Sequence, residues 1–237
     1  MADPLSGFHE RAAGHFARTG RPLVTLTYAQ SLDGSIAARR DQRLDLSGDE
    51  SRVMTHHLRA AHAAILVGIG TLLADDPRLT ARLAGGPDPQ PVVLDSRLRF
   101  PPGARLLQNP HLKPWIFTSA AADPQPRAVL EQVGAHLITV PVTVDGLLDL
   151  AAVTAVLGER GISSLMVEGG ARVITRFLAE HLPDFLVITI APVFVGGQPA
   201  VEPSQEGSTS FSRLENVCSA QLGHDVIVWG NLKSEDR

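Results

Sequence analysis

The sequence predicts an α/β fold: a central, mostly parallel mixed sheet flanked by helices. Short runs rich in Val, Ile and Leu alternate along the chain with longer stretches of helical spacing. Several of these runs, such as Ala64-Ile65-Leu66-Val67-Gly68, are apolar throughout instead of alternating. That is the pattern of a strand covered on both faces, as in a parallel sheet with helices above and below. No internal repeat, low-complexity tract or long polar linker divides the 237 residues. The chain therefore reads as an N-terminal extension over 1–20, one α/β domain over 21–232 and a short tail over 233–237.

Taken in order, the apolar runs place strands at 23–28, 64–68, 91–95, 115–119, 136–140, 164–168 and 185–191, with further strands at 211–217 and 227–229. Helical spacing marks 49–61, 126–133, 150–160 and 171–180, and 8–18 reads as a loosely attached helix. Ser47 suits an N-cap for the first of the main helices, with Glu50 three residues on in the capping-box position. Gly161 follows 150–160 where a helix commonly stops. Loops are punctuated by Gly85-Gly86-Pro87-Asp88-Pro89, by Pro101-Pro102-Gly103 and by the breaker-rich stretch 196–207.

Composition narrows the function. Hydrophobic residues make up 44% and charged residues 19%, with a formal net charge of -4, which gives no general reason to bind nucleic acid. A single cysteine, Cys218, excludes an intrachain disulfide and a four-cysteine zinc site, and its apolar flanks suggest a buried structural thiol. Met1 to Gly20 carries acids and histidines and lacks an apolar core of signal-peptide type, and no uncharged run reaches the roughly 18 residues that cross a bilayer. A cytoplasmic protein without membrane association is expected.

Four segments can carry chemistry. The first runs from Thr25 to Gly34, a strand entering a polar turn; Gln30 and Ser31 fall where ligands of open α/β sheets collect, beyond the strand's carboxyl end. Asp33-Gly34 is by itself a turn signal. The second runs from Val67 to Arg82. Gly68 and Gly70 either admit a cofactor close to the backbone or simply make a turn, and the segment lacks the third glycine of a dinucleotide-binding fingerprint. The third is Leu165-Met166-Val167-Glu168-Gly169-Gly170-Ala171-Arg172-Val173: a strand delivers Glu168 to its end, and two glycines open a helix whose free N–H groups suit an anion. Glu168 either accepts hydrogen bonds from a ligand or caps the turn that follows. The fourth is a set of arginines, Arg43, Arg59 and Arg82, whose forks match phosphate oxygens if they converge and are otherwise solvated surface charges. His56, His57 and His62 lie on one predicted helix without the H-E-x-x-H order of a zinc site, so no metal is expected. A nucleophile elbow and a Walker A loop are both absent from the sequence.

In this order the segments resemble the riboflavin-pathway pyrimidine reductases, whose fold is similar to that of dihydrofolate reductase. The resemblance spans about Arg21 to Gly230 and is carried by Val24 to Gly34, Gly68 to Arg82, Val93-Leu94-Asp95-Ser96-Arg97-Leu98-Arg99 and Val167-Glu168-Gly169-Gly170. It implies an NADPH-dependent enzyme, a homodimer, whose cofactor site is lined by Gln30, Gly68, Gly70, Thr71, Asp75 and Ser96. It also implies that Gly169, Gly170, Ala171, Arg172, Val173, Ile174, Thr175 and Arg176 hold the cofactor phosphates, with Ser96 and Arg97 beside a 2′-phosphate. Arg59, Leu79, Arg82 and Glu168 correspond to positions that contact a phosphorylated pyrimidine substrate. Asp75 and Glu168 are the candidates for catalytic proton transfer.

The resemblance has departures. Many bacterial members carry lysine where this chain has Thr27, a Ser-x-Trp where Arg43-Leu44-Asp45 stands, and an acid in place of Ala63. The string from Thr25 to Asp33, with Met54-Thr55-His56-His57-Leu58-Arg59, looks more like the fungal and archaeal branch. That branch reduces 2,5-diamino-6-ribosylamino-4(3H)-pyrimidinone 5′-phosphate before deamination; the bacterial branch reduces the aminouracil after it. Loss of a lysine beside the ring fits a different ring substituent. The zinc deaminase signature is absent from the sequence. The diamino substrate is the expectation; the aminouracil, a pterin or folate substrate, and a non-catalytic nucleotide-binding protein are the alternatives.

Overall fold

The computed structural model describes residues 3–40, 42, 44–202 and 213–233. Arg43, and the parts of the expected loop 196–207 and strand 211–217 that fall between 203 and 212, lie outside the described residues.

Among those residues a nine-stranded sheet forms the centre. Its strands are β1 (Leu23–Ser31), β3 (Ala64–Gly68), β4 (Gln90–Leu94), β5 (Trp115–Thr118), β6 (His136–Thr139), β7 (Ser164–Val167), β8 (Phe185–Ala191), β10 (Leu214–Leu222) and β11 (Asp225–Leu232), in the order β10-β11-β8-β1-β7-β3-β4-β5-β6. The run from β8 through β6 is parallel, and β11 pairs antiparallel with both β8 and β10. The fully apolar runs are the inner strands: every residue of β3 and β7 is buried. A second, two-stranded sheet pairs β2 (Ser35–Ala37) with β9 (Gln198–Pro199).

The helices are α1 (Phe8–Thr19), α2 (Asp49–Ala61), α3 (Ile69–Asp75), α4 (Pro124–Gln132), α5 (Leu150–Glu159) and α6 (Ala171–Ala179). Their ends follow local chemistry. Asp123 accepts from the Gln125 N–H with Pro124 at the first turn, and Asp149 accepts from the Ala152 N–H. Gly161, at φ 80°, ends α5 as expected, and the Ile162 N–H bonds back to the Leu157 carbonyl. Ser47 does not cap α2. The N-cap is Gly48, whose N–H is held from a distant strand by Asp225 Oδ2 at 2.8 Å. Nor is α1 loosely attached: Phe8, Ala12 and His15, one face of the helix, are buried, and Phe8 and Ala12 pack against Leu23 at the start of β1. Cys218 is half-buried on β10 instead of fully enclosed. No helix among the described residues is long and apolar enough to cross a membrane.

Connections leave neighbouring strands in opposite directions. From β3 the chain proceeds to β4, while from β7 it crosses β1 to reach β8. The boundary between β3 and β7 is thus a topological switch point, and crevices at such points receive ligands in open α/β sheets.

Candidate functional site

A cleft of about 1040 Å³ opens at that boundary. Its floor comes from Thr27, Tyr28 and Ala29 of β1, its walls from the turn between β3 and α3 and the turn between β7 and α6, and its far side from Leu94, Ser96 and Arg99 after β4.

Glycines set the fit of the two walls. A Cβ on Gly68 would sit 2.8 Å from Val173 Cγ2, and one on Gly169 would sit 2.4 Å from Val173 Cβ. Both glycines therefore make room for the first turn of α6, and Gly68 also lines the cleft. Gly70 is different: no atom lies within 4 Å of where its Cβ would be, and it faces the cleft. A Cβ on Gly170 would meet Thr71 Oγ1 at 3.1 Å, so the starts of α3 and α6 stand against each other. Thr71 and Asp75, four residues apart on one face of α3, both line the cleft. From the other wall, Gly169, Gly170, Ala171 and the exposed Arg172 line it with their helix-start N–H groups.

The remaining sequence-derived positions divide. Ser96, Leu79, Arg82, Arg59 and Glu168 line the same cleft. Thr175 and Arg176 also line it but are engaged elsewhere: Thr175 Oγ1 accepts from the Glu202 N–H at 2.8 Å, and Arg176 donates to Glu180 and to the Leu148 carbonyl. Ile174 is fully buried in the core, and Gln30 lies outside the lining. Ser31 is buried and meets no ligand space. Its hydroxyl donates to Asp33, which also accepts from Ser35 Oγ and from the N–H groups of Val195 and Gly196. These bonds hold the Asp33 carboxyl far below its usual range, led by the Ser31 hydroxyl, and they tie the turn after β1 to the loop after β8.

Arg59, on the last turn of α2, meets Glu168 in a two-pronged pair: Nε to Oε1 at 2.7 Å and Nη2 to Oε2 at 2.6 Å. Both side chains are largely buried, at 14% and 18% exposure, so removing one partner leaves the other charge buried and uncompensated, which costs more than losing a surface bridge. Burial pulls the Arg59 pKa down, but the charge of Glu168 and its hydrogen bonds outweigh this and raise it. Arg59 Nη1 also donates to the Thr80 carbonyl at 3.2 Å, and Arg82 Nη1 donates to Thr80 Oγ1 at 3.2 Å. Both guanidinium groups therefore reach the same residue, which sets Arg59 and Arg82 beside each other in the cleft. Tyr28, with its phenol pKa raised by burial, and Thr27 complete this end.

Sequence reasoning missed several lining residues. At the β4 end it favoured Arg97, whereas the cleft is lined by Arg99 and Arg105. Leu98 is buried at φ 52°, and that left-handed step turns Arg99 toward the cleft. The buried Asp95 fixes the loop by accepting the Phe100 N–H at 2.8 Å. Arg40 and Glu202 form an ion pair at 2.8 Å on the rim. No group of three metal-ligating side chains occurs among the described residues.

Residues 22–228 match the family model described as the RibD C-terminal domain. The chain is 35% identical over 220 residues to the riboflavin biosynthesis protein RibD of Bacillus amyloliquefaciens, covering 92% of this chain but 58% of that protein. It is 36% identical over 203 residues to the 2,5-diamino-6-ribosylamino-4(3H)-pyrimidinone 5′-phosphate reductase of Debaryomyces hansenii, covering 80% and 82%. Among solved structures, the riboflavin biosynthesis reductase Rib7 of Saccharomyces cerevisiae superposes with a TM-score of 0.76 at 29% identity, covering 97% of this chain and 98% of Rib7. With its sheet order, its switch-point cleft and a match over nearly its whole length, the chain belongs to the RibD C-terminal domain family.

Proposed function

We propose that this protein reduces the ribosyl group of 2,5-diamino-6-ribosylamino-4(3H)-pyrimidinone 5′-phosphate to a ribityl chain, with NADPH as reductant. The observation that carries the reading is the convergence of Arg59 and Arg82 on Thr80, in the cleft that also holds the open start of α6. One end of the cleft suits a sugar phosphate and the other a dinucleotide.

The residues present fit the cofactor. The N–H groups at Gly170–Arg172 and the Arg172 side chain would hold a diphosphate, Ser96 with Arg99 and Arg105 a 2′-phosphate, and Gly70, Thr71 and Asp75 the nicotinamide side. A reduced nicotinamide held there would supply a hydride to C1′ of the sugar in its open-chain imine form, the C=N double bond becoming CH–NH as the imine nitrogen takes up a proton. The chain's own contribution is mainly orientation. Arg59 fixes the Glu168 carboxylate, which as an acceptor suits amino or hydroxyl donors of the substrate, and Arg82 anchors the phosphate. Tyr28 and the neighbouring Thr27 form the apolar-to-polar floor under the reacting sugar. Asp75 and Glu168, both in the cleft lining, are the candidates for exchanging a proton with it. The family resemblance further supports a homodimer of 25.3 kDa chains, which sedimentation measures directly.

Thr27 in place of a lysine favours the diamino ring, and near-equal identity to the bacterial and fungal relatives keeps the aminouracil as the second reading. Steady-state NADPH oxidation with each pyrimidine phosphate and with dihydropterin tests the choice. Preference for the diamino compound supports it; turnover of dihydropterin alone, or cofactor binding without turnover of any substrate, overturns it.

A further inference from the structure

The sheet face beneath α2 carries polar side chains at its carboxyl end. Leu58 of α2 shares one core cluster with Met166 of β7, Val187 of β8 and Ile227 of β11. Side chains alternate along a strand, so Glu168, two residues beyond Met166, and Thr189, two beyond Val187, stand on that face. The bonds of Glu168 to Arg59 on α2 and of Thr25 Oγ1 to His62, at 2.8 Å, place Glu168 and the β1 series Thr25–Thr27 there as well. Thr27 and Thr189 are 6% and 4% exposed, and both line the cleft. Unlike Thr25, neither has a side-chain hydrogen-bond partner among the described residues. The unpartnered hydroxyls of Ser51 and Thr118, by contrast, are sealed in the interior and line no part of the cleft. A buried hydroxyl without a protein partner costs stability until a ligand or water satisfies it. Thr189 stands in register with Ala29 of β1, whose small side chain leaves the floor beside it open.

We propose that Thr189 recognises the heterocyclic ring of the substrate, its hydroxyl hydrogen-bonding a ring amino or carbonyl group, and is a specificity-determining residue of the site. The proposal rests on the reading of the cleft as a pyrimidine phosphate site, with the phosphate at Arg82. Strand order supplies the direction. Leu79, at the start of the Leu79–Arg82 turn, shares a core cluster with Ile65 and Val67 of β3 and Val93 of β4. β8 lies three strand spacings from β3, about 14 Å. A ligand whose phosphate meets Arg82 therefore passes Glu168 on β7 and Thr27 on β1 before it reaches Thr189 on β8. The part of the molecule furthest from the phosphate is the ring, and Thr189 is the unpartnered polar group at that end. A hydroxyl donates and accepts, so it serves an amino or a carbonyl substituent and disfavours an apolar edge.

The test compares Thr189→Val, which keeps the branched shape and removes the hydroxyl, with Thr189→Ser, which keeps the hydroxyl. On the full chain, kcat and KM are measured for NADPH oxidation with the diamino pyrimidine phosphate, together with the dissociation constants of NADPH and ribose 5-phosphate and the thermal midpoint. In Thr189→Val the KM for the pyrimidine should rise about fivefold, the loss of one neutral hydrogen bond. The two dissociation constants, for ligands without the ring, should stay within about twofold. The thermal midpoint should hold or rise, because an unpartnered buried hydroxyl has given way to a methyl group. Thr189→Ser should recover most of the KM. A wild-type KM in Thr189→Val would overturn the proposal, since the hydroxyl would then meet only water. Equal loss of ribose 5-phosphate affinity would overturn it in favour of a sugar contact, and a lower midpoint with weaker NADPH binding in favour of a structural role. Those three results leave the functional reading intact, whereas a wild-type protein inert towards both pyrimidine phosphates removes that reading and the proposal with it.

Discussion

Glu168 and Arg59 pair across 109 residues of sequence, and that single pair joins the last turn of α2 to the end of β7 in the cleft. In Glu168→Gln one carboxylate oxygen becomes an amide donor facing a guanidinium, so the buried arginine loses its counter-charge. Breaking such a pair costs about 3–5 kcal/mol. The expected result is a fall in kcat/KM of at least about a hundredfold and a lower midpoint in thermal unfolding, with NADPH affinity, measured by fluorescence titration, little altered. A second residue-scale expectation concerns the 2′-phosphate. Arg99→Ala should narrow the preference for NADPH over NADH by about tenfold or more, since a charge-assisted hydrogen bond contributes about 1.5–3 kcal/mol. Arg97→Ala should leave that ratio unaltered; kinetics with both cofactors decides. At this scale the sequence revealed residue types well and pairings poorly. Glu168 at the end of an apolar run and Arg59 on a helix were both visible as candidates, but nothing local says that they neutralise each other or that Leu98 rotates the arginine after it.

Elements were more legible where burial imposes a pattern. β3, β8 and α2 coincide with the apolar runs and helical spacing that predict them. The small β2/β9 sheet escaped notice because two- and three-residue strands carry no periodicity and their pairing depends on Asp33 gathering a distant loop. The burial of α1 was hidden by its histidines and arginines, since its apolar face meets residues supplied by other elements. The glycines between elements yield a paired prediction. Gly169→Ala drives a Cβ into Val173, so α6 must shift; overpacking of this kind costs about 1–3 kcal/mol, and NADPH binding should weaken with it. Gly70→Ala lies inside α3 with open space around it, so stability should be kept or raised by up to about 1 kcal/mol. Its methyl group nevertheless enters the cleft, and cofactor affinity should fall. Denaturant titration together with NADPH binding separates the two cases.

For the whole molecule, acid stability follows from histidines buried in neutral form. His62 sits beneath Phe8, with its ring nitrogens against the Leu58 carbonyl and Thr25 Oγ1, and so joins α1, α2 and β1. Burial, foremost, lowers its pKa from 6.5 to about 4. Between those values the unfolded chain binds a proton that the folded chain refuses, so folding stability is full above about pH 6.5 and declines as pH falls toward 4. One such group contributes a slope of about 1.4 kcal/mol per pH unit, and His15 shifts in the same direction. Urea unfolding at pH 7, 6 and 5 should show this decline, and His62→Gln should flatten it. The same scale explains why the cleft forms where it does. Opposite chain paths from β3 and β7 leave a crevice that no single element creates, so its location follows from strand order and not from any motif.

The most direct measurement of the central claim is transfer of label within that crevice. With NADPH deuterated at the transferable C4 position and the diamino pyrimidine phosphate as substrate, a single turnover should place one deuterium at C1′ of the ribityl product. A product carrying solvent hydrogen and no deuterium at C1′ would contradict the claim that cofactor and sugar lie against each other in one site.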